Sequence, residues 1–593
     1  MSLSRRVLVV AFSAFCLWGF TVSAKPKVAM AVYHFNLQYV AGDQRIERRI
    51  VRESIIPLLD FYEAHPNYKG DFEIQGWALE VIQEEFPEVI ERLRALINSG
   101  QLELVVAHYS DQLFIGYPAL DLQRSVELSD RVLKKLNLKR SRVFFAQELQ
   151  WSPALASALQ GKYDVVVTSG DPYGYYRSAA MPLEWFEYAG KRMLVLLGGG
   201  EKSLKCCQWA WAFFDDGEVF STRDYMSDFY RVPEWEKQHV DRFKKLEREG
   251  YRFVTVSEFV ALLKERGYKI PTMPYVPEGT WNMSAGGPYN WLGKQGGGAE
   301  TDGPTRARNF RARNWVLTAE TLVKKVIDRL QGPRAFIEKV LELAWQHLLL
   351  GEVSDSSGWS PFPIEVRYTD EECTVAEQGA RVLIEQVLST TGLDTGCVFV
   401  DLKSGEVTPA RASTSHPQAE CAASPTPVKV RAASYEIQVE KFSKDLYRLR
   451  ITARRPRDGQ VEFVFPLTGR VHYYSPPLGE DSLVSVPTDL KHDPILSLAN
   501  GLFTLGNGWN LIKDNTVEHL AGTWRYKSNE LVFREGLRED VPTAEMVFYL
   551  YRGTPQEALA RANRLNVWPR IRVCVSNGQI LLHRLGLEEI GQQ

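Results

Sequence analysis

Two stretches of the chain place carboxylates where chemistry could use them. In "FFAQELQWSP" an apolar run leads to Glu148, and in "WAWAFFDDGEVF", Trp209 to Phe220, an aromatic run leads into Asp215 and Asp216. Adjacent carboxylates repel one another and pack poorly, so a doublet at the end of an apolar strand calls for a use. Two carboxyls facing each other across a glycosidic bond are what retaining glycoside hydrolysis requires. One attacks the anomeric carbon; the other protonates the leaving oxygen and later activates water. Glu148 and an aspartate of the doublet suit these tasks. Like charges side by side raise the pKa of one member, burial beside Phe214 would push the same way, and a carboxyl that stays protonated near neutrality can act as a general acid.

These groups are far apart in sequence, so the fold must bring them together. From residue 28 to about 260, β-rich runs alternate with helical segments: "VAMAVY" (28 to 33), "FEIQGW" (72 to 77), "LELVVA" (102 to 107), "RVFFAQ" (142 to 147), "DVVVTS" (164 to 169), "RMLVLL" (192 to 197), "WAWAFF" (209 to 214) and "YRFVTV" (251 to 256). Strand and helix repeated this often predict a parallel sheet covered by helices, and seven or so units predict a closed or nearly closed barrel. The strand ends carry the polar groups. His34 and Asn36 follow the first, His108 and Asp111 the third; the fourth ends at Glu148, the fifth leads to Asp171, and the seventh leads to Asp215 and Asp216. In a barrel of this kind the carboxyl ends of the strands open on one face, where the active site is built.

The rest of the chain reads as further modules. Helical periodicity in "AETLVKKVIDRL", "AFIEKVLELAWQHLLLG" and "GARVLIEQVLS" predicts a helical bundle over 301–400. A Pro-, Ser-, Ala- and Thr-rich stretch predicts a linker over 401–430, and alternating runs such as "SYEIQVEKF" and "AEMVFYLYRG" predict a β-sandwich over 431–593. The barrel occupies 25–300. Residues 1–24, with Arg5 and Arg6, an apolar run and Val22-Ser23-Ala24, read as a signal peptide, which implies a periplasmic or secreted protein with no membrane partner after cleavage. The 71 basic and 73 acidic residues give no electrostatic reason to expect nucleic acid. Six cysteines follow the leader in no zinc-motif spacing, and an exported chain could oxidise some of them.

Several motifs in order resemble glycoside hydrolase family 57, the retaining α-glucan enzymes built on a (β/α)7 barrel. Glu148-x-x-Trp151-x-Pro153 looks like the family's nucleophile motif. "DDGEVF" resembles its acid/base motif, where the aspartate two before the glutamate is catalytic. "EGTWNMSAGGPYNW" resembles the Trp- and Gly-rich loop of branching-enzyme members, and "LLLGEVSDSSGW" the last motif. The resemblance implies Glu148 as nucleophile and Asp216 as acid/base, with Asp215 tuning it, and Asp355 and Trp359 at the cleft. The first motif departs from the usual His-Gln-Pro, reading His34-Phe35-Asn36. The implied fold is α/β: a distorted (β/α)7-type barrel with a helical bundle and a C-terminal β-sandwich domain.

Tryptophan supports a sugar ligand independently, since a flat apolar ring with a polar edge suits a pyranose. Trp151, Trp281, Trp291 and Trp359 fall in loops that should border the barrel mouth and join His34, Asn36, His108, Asp111, Asp215 and Asp355 as candidate sugar contacts. The expected partner is a poly- or oligosaccharide, with no cofactor and no metal. A metal-dependent deacetylase or zinc α-mannosidase would need close-spaced histidines, and the ten histidines provide no such pair after a suitable aspartate. A non-catalytic glucan binder and a glucan transferase of the same family are the other readings; transfer shares the covalent first half of the mechanism.

Overall fold

The computed structural model describes residues 25–590 apart from 178–181, 199–201, 205, 219–234, 293–301, 330–333, 358–361, 393–395, 411–418, 498, 500, 518–522, 528, 538–540 and 577. The expected leader, 1–24, and Trp359 lie outside the described residues.

β1 (Lys27–Phe35) is buried at every position after its first, because it runs through the middle of a sheet covered on both faces. It pairs in parallel with β2 (Gly70–Ile74) on one side and with a long strand, Gln208–Asp216, on the other. β3 (Leu102–Val105) extends the sheet beyond β2. A second sheet joins β4 (Val143–Phe145), β5 (Val165–Ser169), β6 (Leu183–Tyr188) and β7 (Lys191–Gly198) in the order β4-β5-β7-β6. With β8 (Lys202–Ser203) and β9 (Gln208–Asp216) numbered in turn, the seven strands β1 to β5, β7 and β9 form a barrel whose ladder is broken in two places. At one break the Ser141 N–H donates to the Leu104 carbonyl at 2.9 Å. At the other, the Phe214 ring of β9 packs against Gly198 of β7, where a Cβ would lie 2.2 Å from the ring. Side chains complete the closure there, so the barrel is distorted.

One element departs from the expectation. "RMLVLL" lies on β7, the second arm of a hairpin with β6, and no helix precedes it. The two residues between the arms, Ala189 and Gly190, both have positive φ (50° and 73°), the requirement of the tight turn that joins twisted strands. Ala-Gly is a weak signal for that turn, which is why "LEWFEY" did not read as a strand.

Three long helices, Asp302–Val326, Arg334–Gly351 and Pro363–Thr391, pack together and against the barrel. Beyond them an eight-stranded and a five-stranded sheet enclose Phe463, Trp524, Phe533 and Phe548. The span expected to be a linker is partly sheet. It begins at the end of Gly396–Asp401 and contains Val407–Pro409, Glu420–Cys421 and Lys429–Arg431, which pair with Gly396–Asp401, Ser434–Ser443 and Gln460–Pro466 in turn. Pro, Ser and Thr made the local composition linker-like, but edge strands tolerate it. Gly396–Asp401 pairs with Arg570–Ser576, placing Cys397 opposite Cys574, and these form a disulfide. Cys206, Cys207, Cys373 and Cys421 are free. Among the described residues no helix is long and apolar enough to cross a membrane.

Candidate active site

His34 is the second-last residue of β1, and its Nδ1 lies 2.6 Å from Glu73 Oε2 at the end of β2. Its Nε2 lies 3.5 Å from Asp111 Oδ1. Burial disfavours an imidazolium, but Glu73, Asp111 and Glu218 outweigh it and hold His34 well above its ordinary pKa. The parallel register sets His34 beside Asp216 on β9, so the first and last strands of the barrel meet here.

Glu148 follows β4 in a left-handed conformation, φ 49°, and Leu149 continues it at φ 46°. Two such non-glycine residues in succession cost on the order of 1–3 kcal/mol each, a strain that is characteristic of functional positions. The strain aims the carboxyl at a fixed set of partners. The Trp281 indole N–H donates to Oε2 at 2.7 Å, and Ser354 Oγ lies 3.3 Å from Oε1. Burial raises the Glu148 pKa, while the Trp281 hydrogen bond and the His34 charge oppose the rise.

Asp216 ends β9. Its pKa is pushed up to about 7, first by burial and then by the charges of Asp215 and Glu148, against the pull of His34. Asp215 is exposed, and its Oδ1 accepts from the Asp216 N–H at 3.0 Å. Asp111 is fully buried. Its Oδ2 accepts from Ser354 and from Asn36 Nδ2, each at 2.8 Å, and burial pushes its pKa up to about 8. Asp355 Oδ2 accepts from the same Asn36 amide at 2.8 Å; burial and the charges of Glu148, Asp111 and Glu365 hold its pKa well above the carboxylate range.

Most of the expected residues thus gather at the strand ends, but four do other work than sugar contact. Asn36 spends both amide protons on Asp111 and Asp355, and its Oδ1 accepts from the Gln38 N–H at 2.8 Å; it ties the first strand to two loops. His108 is fully buried, stacked on Phe114 and edge-on to Phe144, and burial lowers its pKa to about 3, which makes it a neutral wall residue. The Trp151 indole donates to the Val276 carbonyl at 3.1 Å and its ring meets Phe186 edge-on, so it is core. Trp291 is 2% exposed and backs Trp281, ring to ring at 5.5 Å. Trp281, half-buried, keeps a place beside the nucleophile candidate. Asp171 also acts indirectly: its Oδ2 accepts from the Asn282 and Met283 N–H groups at 2.5 and 3.3 Å and fixes the loop after Trp281.

Sequence reasoning missed Glu73 and Glu218 as site residues. Glu73 orients His34, and Glu218 Oε2 accepts from the Asn36 N–H at 3.2 Å while burial raises its pKa strongly. Glu73 sits in a run read only as strand; Glu218 served only as a spacing mark in "DDGE".

Two groups have the ligand set of a metal site: His34, Asp216 and Glu218, and Asp111, Glu148 and Asp355, each with donor atoms within 4.8 Å of one another. In the second, Asn36 donates one amide proton to Asp111 Oδ2 and the other to Asp355 Oδ2, with the amide orientation fixed by the Gln38 N–H, so those two oxygens already have a hydrogen-bond donor. The arrangement fits proton-sharing carboxyls.

Residues 37–189 match the model of glycosyl hydrolase family 57. By this match the barrel segment 37–189 is similar to family 57. The matched segment contains Asp111 and Glu148, and the motif at Asp216 follows it. Two relatives are similar to the chain: an α-amylase of Pyrococcus horikoshii, 23% identical over 44% of this chain and 44% of that one, and a 4-α-glucanotransferase of Thermococcus litoralis, 24% identical over 39% and 38%. The chain therefore spans less than half the length of the curated relatives it matches. In fold it is similar to an α-mannosidase from Enterococcus faecalis V583, with a TM-score of 0.59, 9% identity, and coverage of 95% of this chain and 90% of that one. The likeness runs through barrel, bundle and β-rich region together.

Proposed function

We propose that the protein is an exported retaining glycosidase acting on α-glucans, with Glu148 as nucleophile and Asp216 as acid/base. The observation that carries the reading is the pairing of a strained, indole-bound Glu148 with a half-buried Asp216 whose pKa is pushed up to about 7. Asp216 in its acid form donates its proton to the glycosidic oxygen as the Glu148 carboxylate attacks the anomeric carbon. This yields a glycosyl ester and a free sugar end. Asp216, now ionised, takes a proton from water as the water oxygen attacks the same carbon, releasing Glu148. The Trp281 hydrogen bond and the His34 charge favour the ionised nucleophile. The relatives named for α-amylase and glucanotransferase activity support α-glucan as substrate class, and the Cys397–Cys574 disulfide supports an oxidising compartment. Transfer to a sugar hydroxyl in place of water would use the same groups.

The test is product analysis with a panel of α-glucans and maltooligosaccharides, and an aryl α-mannoside because of the shared fold. Products from the glucans should disappear with Glu148→Gln and Asp216→Asn, each lowering turnover by roughly 10³-fold or more, with folding intact. A variant that retains wild-type turnover would remove its residue from the mechanism. Products longer than the substrate would identify transfer.

A further inference from the structure

The segment that carries Trp281 to Glu148 is held from both sides. On the barrel side, Trp151 and Gly279 exchange backbone hydrogen bonds at 2.7 and 3.0 Å, and the Trp151 indole takes the Val276 carbonyl. Gly279 lies so close to Pro172 that a Cβ would sit 2.5 Å from its ring. On the other side stands the β-sandwich. Tyr474, from the short strand Tyr473–Tyr474, is fully buried; its hydroxyl lies 2.8 Å from that of Tyr275 and 3.4 Å from Glu278 Oε2. Arg177 joins the two sides again, donating to the Tyr275 carbonyl at 2.7 Å and to Asp489 at 2.6 Å. Ser152 donates to the Pro477 carbonyl at 2.5 Å.

An apolar interface would have served for docking alone. Instead a fully buried carboxyl, Glu278, sits among Tyr176, Tyr275 and Tyr474, with Oε1 lacking a hydrogen-bond partner among the described residues. Such a group costs on the order of 1–3 kcal/mol relative to a satisfied one. Its position explains the cost. Glu278 is three residues before Trp281, and between them only Gly279, pinned to Trp151, and Thr280 intervene.

We propose that Tyr474 is a positioning residue for the nucleophile: through Tyr275 and Glu278 it fixes the 275–281 segment and thereby the Trp281 hydrogen bond to Glu148. The inference rests on the reading of Glu148 as nucleophile only for its kinetic consequence. The contact itself can be observed without substrate. In full-length protein labelled with ¹⁵N at tryptophan indoles, the Trp281 resonance is assigned by its loss in Trp281→Phe. It should move with pH in the wild type as Glu148 titrates and stay fixed in Glu148→Gln.

Tyr474→Phe keeps the ring and removes the hydroxyl, and Tyr275→Phe breaks the same contact from the barrel side should the first variant fold poorly. Either should displace or broaden the Trp281 resonance and lower kcat roughly tenfold, with KM changed less than about twofold. Glu278→Gln, which retains a hydrogen-bonding end for Tyr474, should preserve both. A folded Tyr474→Phe or Tyr275→Phe protein with an unchanged Trp281 titration overturns the inference. Full turnover by Glu148→Gln would instead overturn the catalytic assignment and leave the indole measurement to decide this one.

Discussion

Glu73, Asp111, Glu148, Asp216, Glu218 and Asp355 crowd around a single imidazole, His34, and all six carboxyls have raised pKa values with burial as the leading cause. Full ionisation would place like charges side by side in a poorly solvated space, so the group must share protons. Ser354 shows the same economy: its one hydroxyl proton faces Asp111 at 2.8 Å and Glu148 at 3.3 Å. Asp215, exposed beside this group, can be altered without touching the reacting atoms. Its charge raises the Asp216 pKa, so Asp215→Asn should let Asp216 ionise at lower pH. The basic limb of the kcat/KM profile, near 7 in the wild type, should then move down by roughly 0.5 to 1 unit. An unmoved limb would show that Asp216 is not the group titrating there. The strand-end rule made Glu148, Asp111, Asp215 and Asp216 legible in the sequence, because parallel strands deliver their ends to one face whatever lies between them. It could not give direction. Asn36, Trp151 and Trp291 stand near the mouth as expected, yet their polar atoms face inward or their rings are covered, and neither fact is written in residue type or spacing.

Elements outside the barrel supply part of the site. Ser354 and Asp355 belong to the single turn Ser354–Ser356, which follows the helix Arg334–Gly351. Arg306, buried within the helix Asp302–Val326, fixes that turn: its guanidinium donates to Tyr117 Oη and Val353 O at 2.9 Å, to Ser354 O at 3.2 Å and to Ser357 Oγ at 3.0 Å. A lysine would restore the charge but not the planar fork. Arg306→Lys should therefore destabilise the protein by roughly 2–4 kcal/mol, as buried acceptors lose partners. Turnover of the folded fraction should also fall at least about tenfold as Ser354 and Asp355 shift. Denaturant unfolding and active-site kinetics on the same preparation separate the two effects; lost stability with unchanged turnover would mean that the turn keeps its place without Arg306. The bundle helices were legible from their periodicity. That one of their arginines organises a turn of the candidate site was not, since Arg306 sits in a run of arginines indistinguishable from a solvated face.

At the scale of the molecule, the seams between modules carry buried acids. Glu278 lies between barrel and sandwich, Asp111 between barrel and bundle turn, and Glu365 caps the helix Pro363–Thr391 beside the barrel; burial pushes each pKa up to about 8. In the unfolded chain these carboxyls ionise near 4, so between pH 4 and 8 the folded state binds more protons and stability falls as pH rises. His34, raised above its ordinary value, acts in the same direction from 6.5 upward. Buried His108 and His239, both lowered to about 3, act oppositely, but only below 6.5, where the unfolded chain would protonate them. The lowered pKa values of Asp401 and Asp514 contribute stability that is already complete above about pH 5. From pH 7 to 8 the raised groups therefore decide the slope, at about 1.4 kcal/mol per unit for each carboxyl that titrates independently. Denaturant unfolding at pH 7, 8 and 9 should show stability declining, most steeply below 8. Glu278→Gln, which replaces the ionisable seam group with a neutral isostere, should flatten the decline by about 1 kcal/mol over that first unit. Stability that holds level or rises with pH in this range would mean that the seams admit enough water to ionise their acids in the folded protein.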